Sequence, residues 1–409
     1  MNLSRTECER IRPLRICLTG GWFSSDNVGD NAILTGIRDS FPPESQFTAF
    51  SSSPSHVQAN HGIAAFAPKK NPLALYASLR HADALLFTGG TPFYDDLPHM
   101  AYFAGLAAAA RFHRVPIVIF GIALRTLDSG SCRALARFIC NSACYASARE
   151  ERSRRLMSEL VGQQNKVRLL PDPAIRMAPI EAQQAEAELA ALGLPQGTRR
   201  AAICLRDFTA PASFRAAHYS KTYDTSTIAQ MIQAVADMCV KAVAQLEAEI
   251  VFFPMNTKAP DDDREPARQV CAAVKDSTVC QHLHIAEKQY GPREMKGLLG
   301  RMDAVLGARF HSLVLSSSMG VPTYAIDYAP KTLAIMQFFG RGQYVQPLSD
   351  FDGKNLIETF NGILADPSAH RQDLAGRLRD IQATYDTELA RILDVIQRIK
   401  ACTTRGRAS

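Results

Sequence analysis

No two of the ten cysteines in this 409-residue sequence are spaced C-x-x-C, so neither a zinc ribbon nor a thioredoxin-type redox pair is on offer. Most of them stand in apolar surroundings, as in Ile203-Cys204-Leu205, and read as buried free thiols. Runs of lysine or arginine are also missing. Forty-six basic against 40 acidic residues leave a formal charge of +6, a mild excess that suits small anions at least as well as polynucleotides, and nucleic acid is discounted as a partner. Met1 to Arg15 has no apolar segment of the kind a secretory signal needs. The longest apolar region, Met100 to Phe112, is too short to span a bilayer. The expectation is a cytoplasmic protein whose contact with the inner membrane face, if it has one, is peripheral. Neither G-x-G-x-x-G nor a Walker lysine is present, and no ribose-binding glutamate stands near Gly320. Asp261-Asp262-Asp263 has the look of a metal site, but it immediately precedes Arg264 and reads as a solvated helix start. Neither stretch argues for a metal or an organic cofactor.

What is present argues for α/β architecture. With 46% hydrophobic and 21% charged residues, a chain of this length buries a sizeable core and divides naturally into two domains. Leu14 to Thr19 is an apolar run closing on Gly20-Gly21, and the segment Asp30 to Phe41 then carries Ile33, Leu34 and Ile37 at helical spacing. The unit recurs at Ala84 to Phe87 before Gly89-Gly90 and at Val115 to Phe120 before Gly121. Val167 to Leu170 is a further strand, ending in Pro171-Asp172-Pro173, and Glu181 to Leu192 a helix. The polar turn Gly193 to Gly197 marks a boundary, after which the pattern restarts with strands at Ala201 to Leu205, Ile250 to Phe253, Ala304 to Leu306 and Thr323 to Ile326. Ile228, Met231, Ile232, Val235, Met238, Cys239, Ala242 and Leu246 trace one face of a helix between them. The reading is two Rossmann-like domains, 1–195 and 196–365, facing a central cleft, with a long helix over 366–409 that packs back on the first.

Chemistry is sought after the strands, where such sheets bind ligands. Asn27 to Leu34 puts polar residues and a glycine before a helix that begins near Asp30, so that the exposed amides and Asn27 either hold an anion or belong to an ordinary capping turn with Asp30 as N-cap. Gly89-Gly90 precedes Asp95-Asp96, where a carboxylate could act as base toward a hydroxyl or simply be solvated. The strongest candidate is Arg309-Phe310-His311-Ser312 after the strand Ala304 to Leu306. In an extended or tight-turn conformation Arg309 and His311 would point the same way, a fixed cation beside a titratable imidazole. Arg206 ends another strand and is either a cation of the site or a rim salt bridge; Lys331 follows Asp327-Tyr328-Ala329-Pro330 and is either solvated or a further anion contact.

Taken together, these stretches resemble the polysaccharide pyruvyl transferase family. The carriers are Asn27 to Leu34 (N-x-G-D-x-A-I-L), Gly89 to Asp96 (G-G-G-x-x-x-x-D), Arg149 with Ser153 and Met157, Pro171-Asp172-Pro173, and Arg309 to Ser312 (R-x-H-S), in the family's order. The resemblance implies a glycosyltransferase-B-like pair of domains. It also implies transfer of a pyruvyl group from phosphoenolpyruvate to two hydroxyls of a sugar, a glycan or a lipid-linked precursor, with release of phosphate. Phosphoenolpyruvate is then the donor substrate. Arg309, Arg206 and His311 fall to it, with Ser312 and Lys331 as further contacts. Asp96 becomes the base toward the acceptor, with Asn27, Asp30, Gly89 and Gly90 lining the first half. Three positions depart from the pattern: Thr91 for the third glycine, Asn31 for a usual acid, and Gly121-Ile122-Ala123-Leu124 for G-I-G-P. All lie in the half expected to face the acceptor, so a non-polysaccharide acceptor stays open. The rival readings are a nucleotide-sugar glycosyltransferase in the same fold and an idle scaffold subunit.

Overall fold

The computed structural model describes residues 13–21, 23, 27–67, 70–162, 167–208 and 223–408; Cys8 and the stretch before Pro13 lie outside them. Two parallel sheets account for the fold. The first joins β1 (Arg15–Thr19), β2 (Gln46–Phe50), β3 (Ala64–Phe66), β4 (Ala84–Phe87), β5 (Ile117–Ile122), β6 (Tyr145–Ala148) and β7 (Val167–Leu169) in the order β3-β2-β1-β4-β5-β6-β7. The second joins β8 (Arg200–Cys204), β9 (Glu249–Phe252), β10 (Leu283–Ile285), β11 (Ala304–Gly307), β12 (Thr323–Asp327) and β13 (Val345–Pro347) in the order β10-β9-β8-β11-β12-β13. Strand order reverses between β1 and β4 in one and between β8 and β11 in the other, which is where doubly wound sheets open a crevice at their carboxyl ends.

The central strands are apolar on both faces because helices cover both. In β4, Leu85 and Phe87 face a layer containing Met100, Phe103, Ile139 and Met157, while Ala84 and Leu86 face one containing Ile33, Leu34 and Ile37. The helix Thr225–Leu246 buries Ile228, Met231, Ile232, Val235, Met238, Cys239 and Ala242 in the second core, the face that its periodicity predicts. It is the one helix among the described residues with the length and apolar character to cross a bilayer, and it is a core element here. The strands absent from the sequence reading are β2, β3, β6, β10 and β13. Four are short or at or near a sheet edge, and β6, Tyr-Ala-Ser-Ala, has little β-branched or aromatic content.

The chain forms two compact units, one of 30–177 with β1 and 381–408, the other of 178–380 with 26–29. The passage from first to second therefore falls at Met177, not at the polar turn near Pro195. The cause is local bonding: the Ile180 amide donates to the Arg293 carbonyl at 3.1 Å, and the Arg293 guanidinium donates to the Ala178 carbonyl at 2.9 Å. The helix Ala182–Ala191 thus belongs with Pro292–Leu299, and Gly193 to Gly197 is an internal turn of the second unit. The terminal helix Pro367–Ala408 contributes Leu374 and Leu378 to the second unit; Tyr385, Leu389, Ile392, Leu393 and Ile396 enter the core of the first.

Candidate functional site

In the second unit, the loops after β8, β9, β11 and β12 meet at the carboxyl edge of the sheet. Arg206 follows β8 by two residues. It is buried, its Nη1 donates to the Tyr328 hydroxyl at 2.7 Å, its guanidinium carbon lies 5.0 Å from the centre of the Tyr328 ring, and its Nη2 is 3.5 Å from Asp261. Arg309 follows β11. Its Nε donates to both carboxylate oxygens of Asp263, at 3.0 and 2.9 Å, and its Nη2 lies 2.9 Å from the Asp261 carboxylate. The other duty of Asp263 is to hold the β9 loop, accepting the amides of Met255 and Asn256 at 3.0 Å each. Lys331 stands 5.6 Å over the Phe310 ring and 6.0 Å from that of Tyr328.

The Asp261 to Asp263 run is thus no solvated start. The helix does begin at Arg264, but Asp261 and Asp263 are turned inward to hold arginines, and Asp262 alone stays half-buried against Arg264. Among the described residues no group of acidic, histidine or cysteine side chains is arranged for a metal. Burial pushes the Asp263 carboxyl up, to about 6, while the Arg309 guanidinium pulls against it. Burial works against the charge on Arg309 too, but Asp263 and Asp261 outweigh it and hold the guanidinium protonated. Burial alone would raise the Tyr328 phenol; Lys331, Arg206 and Arg309 reverse that and bring it below its ordinary value. Lys331 adds a third cation at this edge, beside two arginines whose charge Asp261 and Asp263 balance.

Arg309 and His311 do not share one extended face. Arg309 is extended (φ −99°, ψ 128°), but the helix Phe310–Ser318 begins at the next residue, so His311 sits in its first turn while Arg309 is drawn toward Asp263. His311 instead packs on Gly29, where a Cβ would fall 2.0 Å from its Nδ1, so that position tolerates only glycine. Ser312 is fully buried and its hydroxyl donates to the Arg309 carbonyl at 2.6 Å, making it a support of Arg309 rather than a ligand contact in this conformation. Asn27, not Asp30, caps the helix Val28–Ser40: its Oδ1 accepts the Gly29 amide at 2.8 Å, and Asp30 lies in the first turn. The Val28 amide donates to the Met255 carbonyl at 3.0 Å, which joins 27–29 to the β9 loop. Arg206, Arg309, His311, Lys331 and Asn27 are therefore all in the second unit. Tyr328, Asp261 and Asp263 were missed by the sequence reading; the signal that could have found them was an aspartate run just before a helix, in a chain whose candidate arginines need buried counter-charges.

Asp30, Gly89, Gly90 and Asp96 are in the first unit. Gly89 (φ +98°) follows β4 and presses on the turn after β1, where an added Cβ would meet the Gly21 Cα at 2.4 Å; at Gly90 nothing is within reach. Asp96 is exposed and caps the helix Leu97–Phe112, its Oδ1 accepting the His99 amide at 2.9 Å. Asp95 is likewise spent on the backbone of Asp128 and Ser129. Two further motif stretches are structural. Arg149, after β6, forms a buried ion pair at 3.1 Å with Asp172 of the Pro-Asp-Pro turn, and the Ser153 hydroxyl accepts the Leu124 amide at 2.9 Å. Cys17, Cys132, Cys140, Cys204 and Cys239 are buried and in no disulfide, with burial pushing the Cys17 thiol up to about 12; Cys144, Cys280 and Cys402 are exposed.

Solved structures with the same fold include UDP-GlcNAc 2-epimerase from Neisseria meningitidis (TM-score 0.55, 14% identity, 94% of this chain and 99% of that one) and HepE from Anabaena in complex with UDP and glucose (TM-score 0.54, 11% identity, 96% and 100%). A trehalose-phosphate synthase from Burkholderia vietnamiensis is comparable (TM-score 0.53, 12% identity, 95% and 100%). At such identities the likeness establishes the glycosyltransferase-B-type fold. In sequence, the chain is 26% identical over 87 residues to the amylovoran biosynthesis protein AmsJ of Erwinia amylovora, a stretch that is about a fifth of the length of either protein. The family profile described as polysaccharide pyruvyl transferase matches residues 27–330, from the Asn27 cap to the Pro330 that precedes Lys331. With Arg206, Arg309 and His311 all inside that span, the chain belongs to the polysaccharide pyruvyl transferase family.

Proposed function

We propose that this protein transfers a pyruvyl group from phosphoenolpyruvate to two hydroxyls of a sugar acceptor of glycan biosynthesis, forming a cyclic ketal and releasing phosphate in the cytoplasm. The observation that carries the reading is the gathering of three cations at the switch point of the second sheet: Arg206 and Lys331 stand over the Tyr328 ring, and Arg309 is held by Asp261 and Asp263. A compact, highly charged anion with a carboxylate and a phosphate suits such a place. Its counter-aspartates hold the arginines in position before any ligand arrives, so little reorganisation is needed on binding.

His311, at the amino end of the helix Phe310–Ser318, is the general acid in this reading. A proton delivered to the methylene carbon of the donor leaves positive charge at C2. One sugar hydroxyl adds to C2 and gives up its proton; the C2–O bond to phosphate then breaks, and the second hydroxyl closes the ring. Two hydroxyl protons are consumed, one ending in the new methyl group and one on the released phosphate. Asp96 is assigned as base toward the acceptor, with Asp30, Gly89 and Gly90 on that side and Asn27 with the donor. No cofactor is called for.

The test is thermal stabilisation by phosphoenolpyruvate and, separately, by nucleotide sugars. The expected result is a shift with phosphoenolpyruvate that His311→Ala weakens, together with sugar-dependent phosphate release that falls about 10²- to 10⁴-fold in that variant. A shift given by a nucleotide sugar and not by phosphoenolpyruvate would overturn the assignment.

A further inference from the structure

Of the six large apolar side chains that stand exposed among the described residues, three cluster in the first unit at the helices Pro72–His81 and Leu97–Phe112: Leu73 (81% exposed), Phe112 (78%) and Tyr76 (45%). They are contiguous. The Tyr76 ring meets that of His113 edge-on at 4.6 Å, the Phe112 ring meets the same imidazole at 5.1 Å, and Leu73 precedes Tyr76 by one helical turn. Around them Lys70, Arg80, Arg111 and Arg114 are exposed, and among the described residues none of the four pairs with a carboxylate. Acid is missing altogether from both segments: no Asp or Glu occurs from Ala67 to Ala82 or from Leu97 to Leu127. The turn that presents Arg114 holds it at φ +57°, a conformation ordinarily left to glycine.

We propose that this face is a membrane-docking surface, taking an anionic lipid bilayer with Leu73, Tyr76 and Phe112 seated among the acyl chains and Lys70, Arg80, Arg111 and Arg114 at the headgroups. Two properties together select the occupant. Exposed leucine and phenylalanine call for an apolar medium, and four cations with no acid between them call for a negative one; an anionic leaflet supplies both in one plane. A second copy of the same face would set cations against cations, which argues against self-association there. The surface lies on the carboxyl-terminal half of Leu97–Phe112, at the other end of the helix from Asp96, so docking leaves that loop uncovered. Nothing in the inference depends on the donor assignment.

The experiment is co-sedimentation of the full chain with vesicles, without phosphoenolpyruvate, comparing phosphatidylcholine alone with phosphatidylcholine containing about 30% phosphatidylglycerol. The expected result is binding to the anionic vesicles that weakens in high salt and falls about tenfold in the double variant Leu73→Ser, Phe112→Ser, and again in Arg111→Gln, Arg114→Gln. These side chains are exposed, so both variants should melt with the wild type and keep phosphate release on a water-soluble acceptor, which separates docking from chemistry. Failure of the wild type to bind, equal binding to neutral vesicles, or undiminished binding by the serine variant would overturn the proposal. So would concentration-dependent self-association without vesicles that the serine variant abolishes, since the face would then belong to a second copy.

Discussion

Apart from the additional β7, the two sheets run in the same strand order, yet their switch points are furnished in opposite ways. In the first unit the turns after β1 and β4 are glycines pressed backbone to backbone, and the nearby aspartates are exposed and bonded to backbone amides. In the second, the corresponding turns after β8 and β11 carry arginines, buried and held by aspartates from a third loop. One edge is shaped by the absence of side chains, the other by fixed charge. The difference teaches that in this fold the topology decides where a site lies, while what the site does is set by a handful of residues at the strand ends.

The largest expected break in that contrast is Arg309→Ala. It leaves Asp263 buried without its guanidinium, and unfolding free energy should fall by roughly 3–5 kcal/mol. A denaturation midpoint close to wild type would show that the second edge is not organised by fixed charge. Acid should separate the units next. Burial first, with Arg38 and His56 adding to it, lowers His61 of the first unit to about 4. Its native form therefore binds fewer protons than the unfolded one between pH 6.5 and about 4, and its contribution to stability is lost as pH falls through that window, amounting to roughly 3 kcal/mol at most. Asp263 is raised, so its own contribution has the opposite sign between its ordinary value and about 6. His61→Gln should flatten the acid side of the stability profile; an unchanged slope would refute the assignment.

Within the first unit, Gly89→Ala should destabilise by about 2 kcal/mol, because positive φ and the Gly21 backbone both resist a methyl group, whereas Gly90→Ala should be nearly silent. Equal melting of the two variants would mean that the close approach is unimportant. The smallest effect is at Asp96. Asp96→Ala should lose about 1 kcal/mol with the helix cap, and Asp96→Asn should keep it, since asparagine caps equally well. If the carboxylate is the acceptor base, both variants lose sugar-dependent phosphate release; an active asparagine variant would reduce Asp96 to a cap.

The central strands and the helix Thr225–Leu246 could be read from the sequence because each is a long apolar pattern of one period, and hydrophobicity is a local signal. The three-residue edge strands β3, β10 and β13 carry too little of it. The same divide runs through the site. Arg206, Arg309 and His311 are visible as polar residues at strand ends. Tyr328 and Asp261 earn their places through partners 122 and 55 residues away from Arg206, and no local pattern records such a distance. Ser312 shows the converse: its motif is plain, but its hydroxyl turns inward. The boundary near Pro195 was misplaced because turn-forming composition marks a bend in the chain without saying which core the flanking helix joins.

The long terminal helix has a consequence for how the molecule is made. Tyr385, Leu389, Ile392, Leu393 and Ile396 complete one face of a sheet whose first strand is β1, so that unit is completed only after all of 178–380 has been synthesised. Until the final turns emerge, the nascent chain exposes an apolar layer around Phe41, Phe47 and Phe120, while residues 178–380 already hold everything their own sheet requires except the short Asn27–Gly29 turn that preceded them. A chain cut near residue 380 would therefore present one finished half and one open half, and chaperones should hold the amino-terminal half the longer.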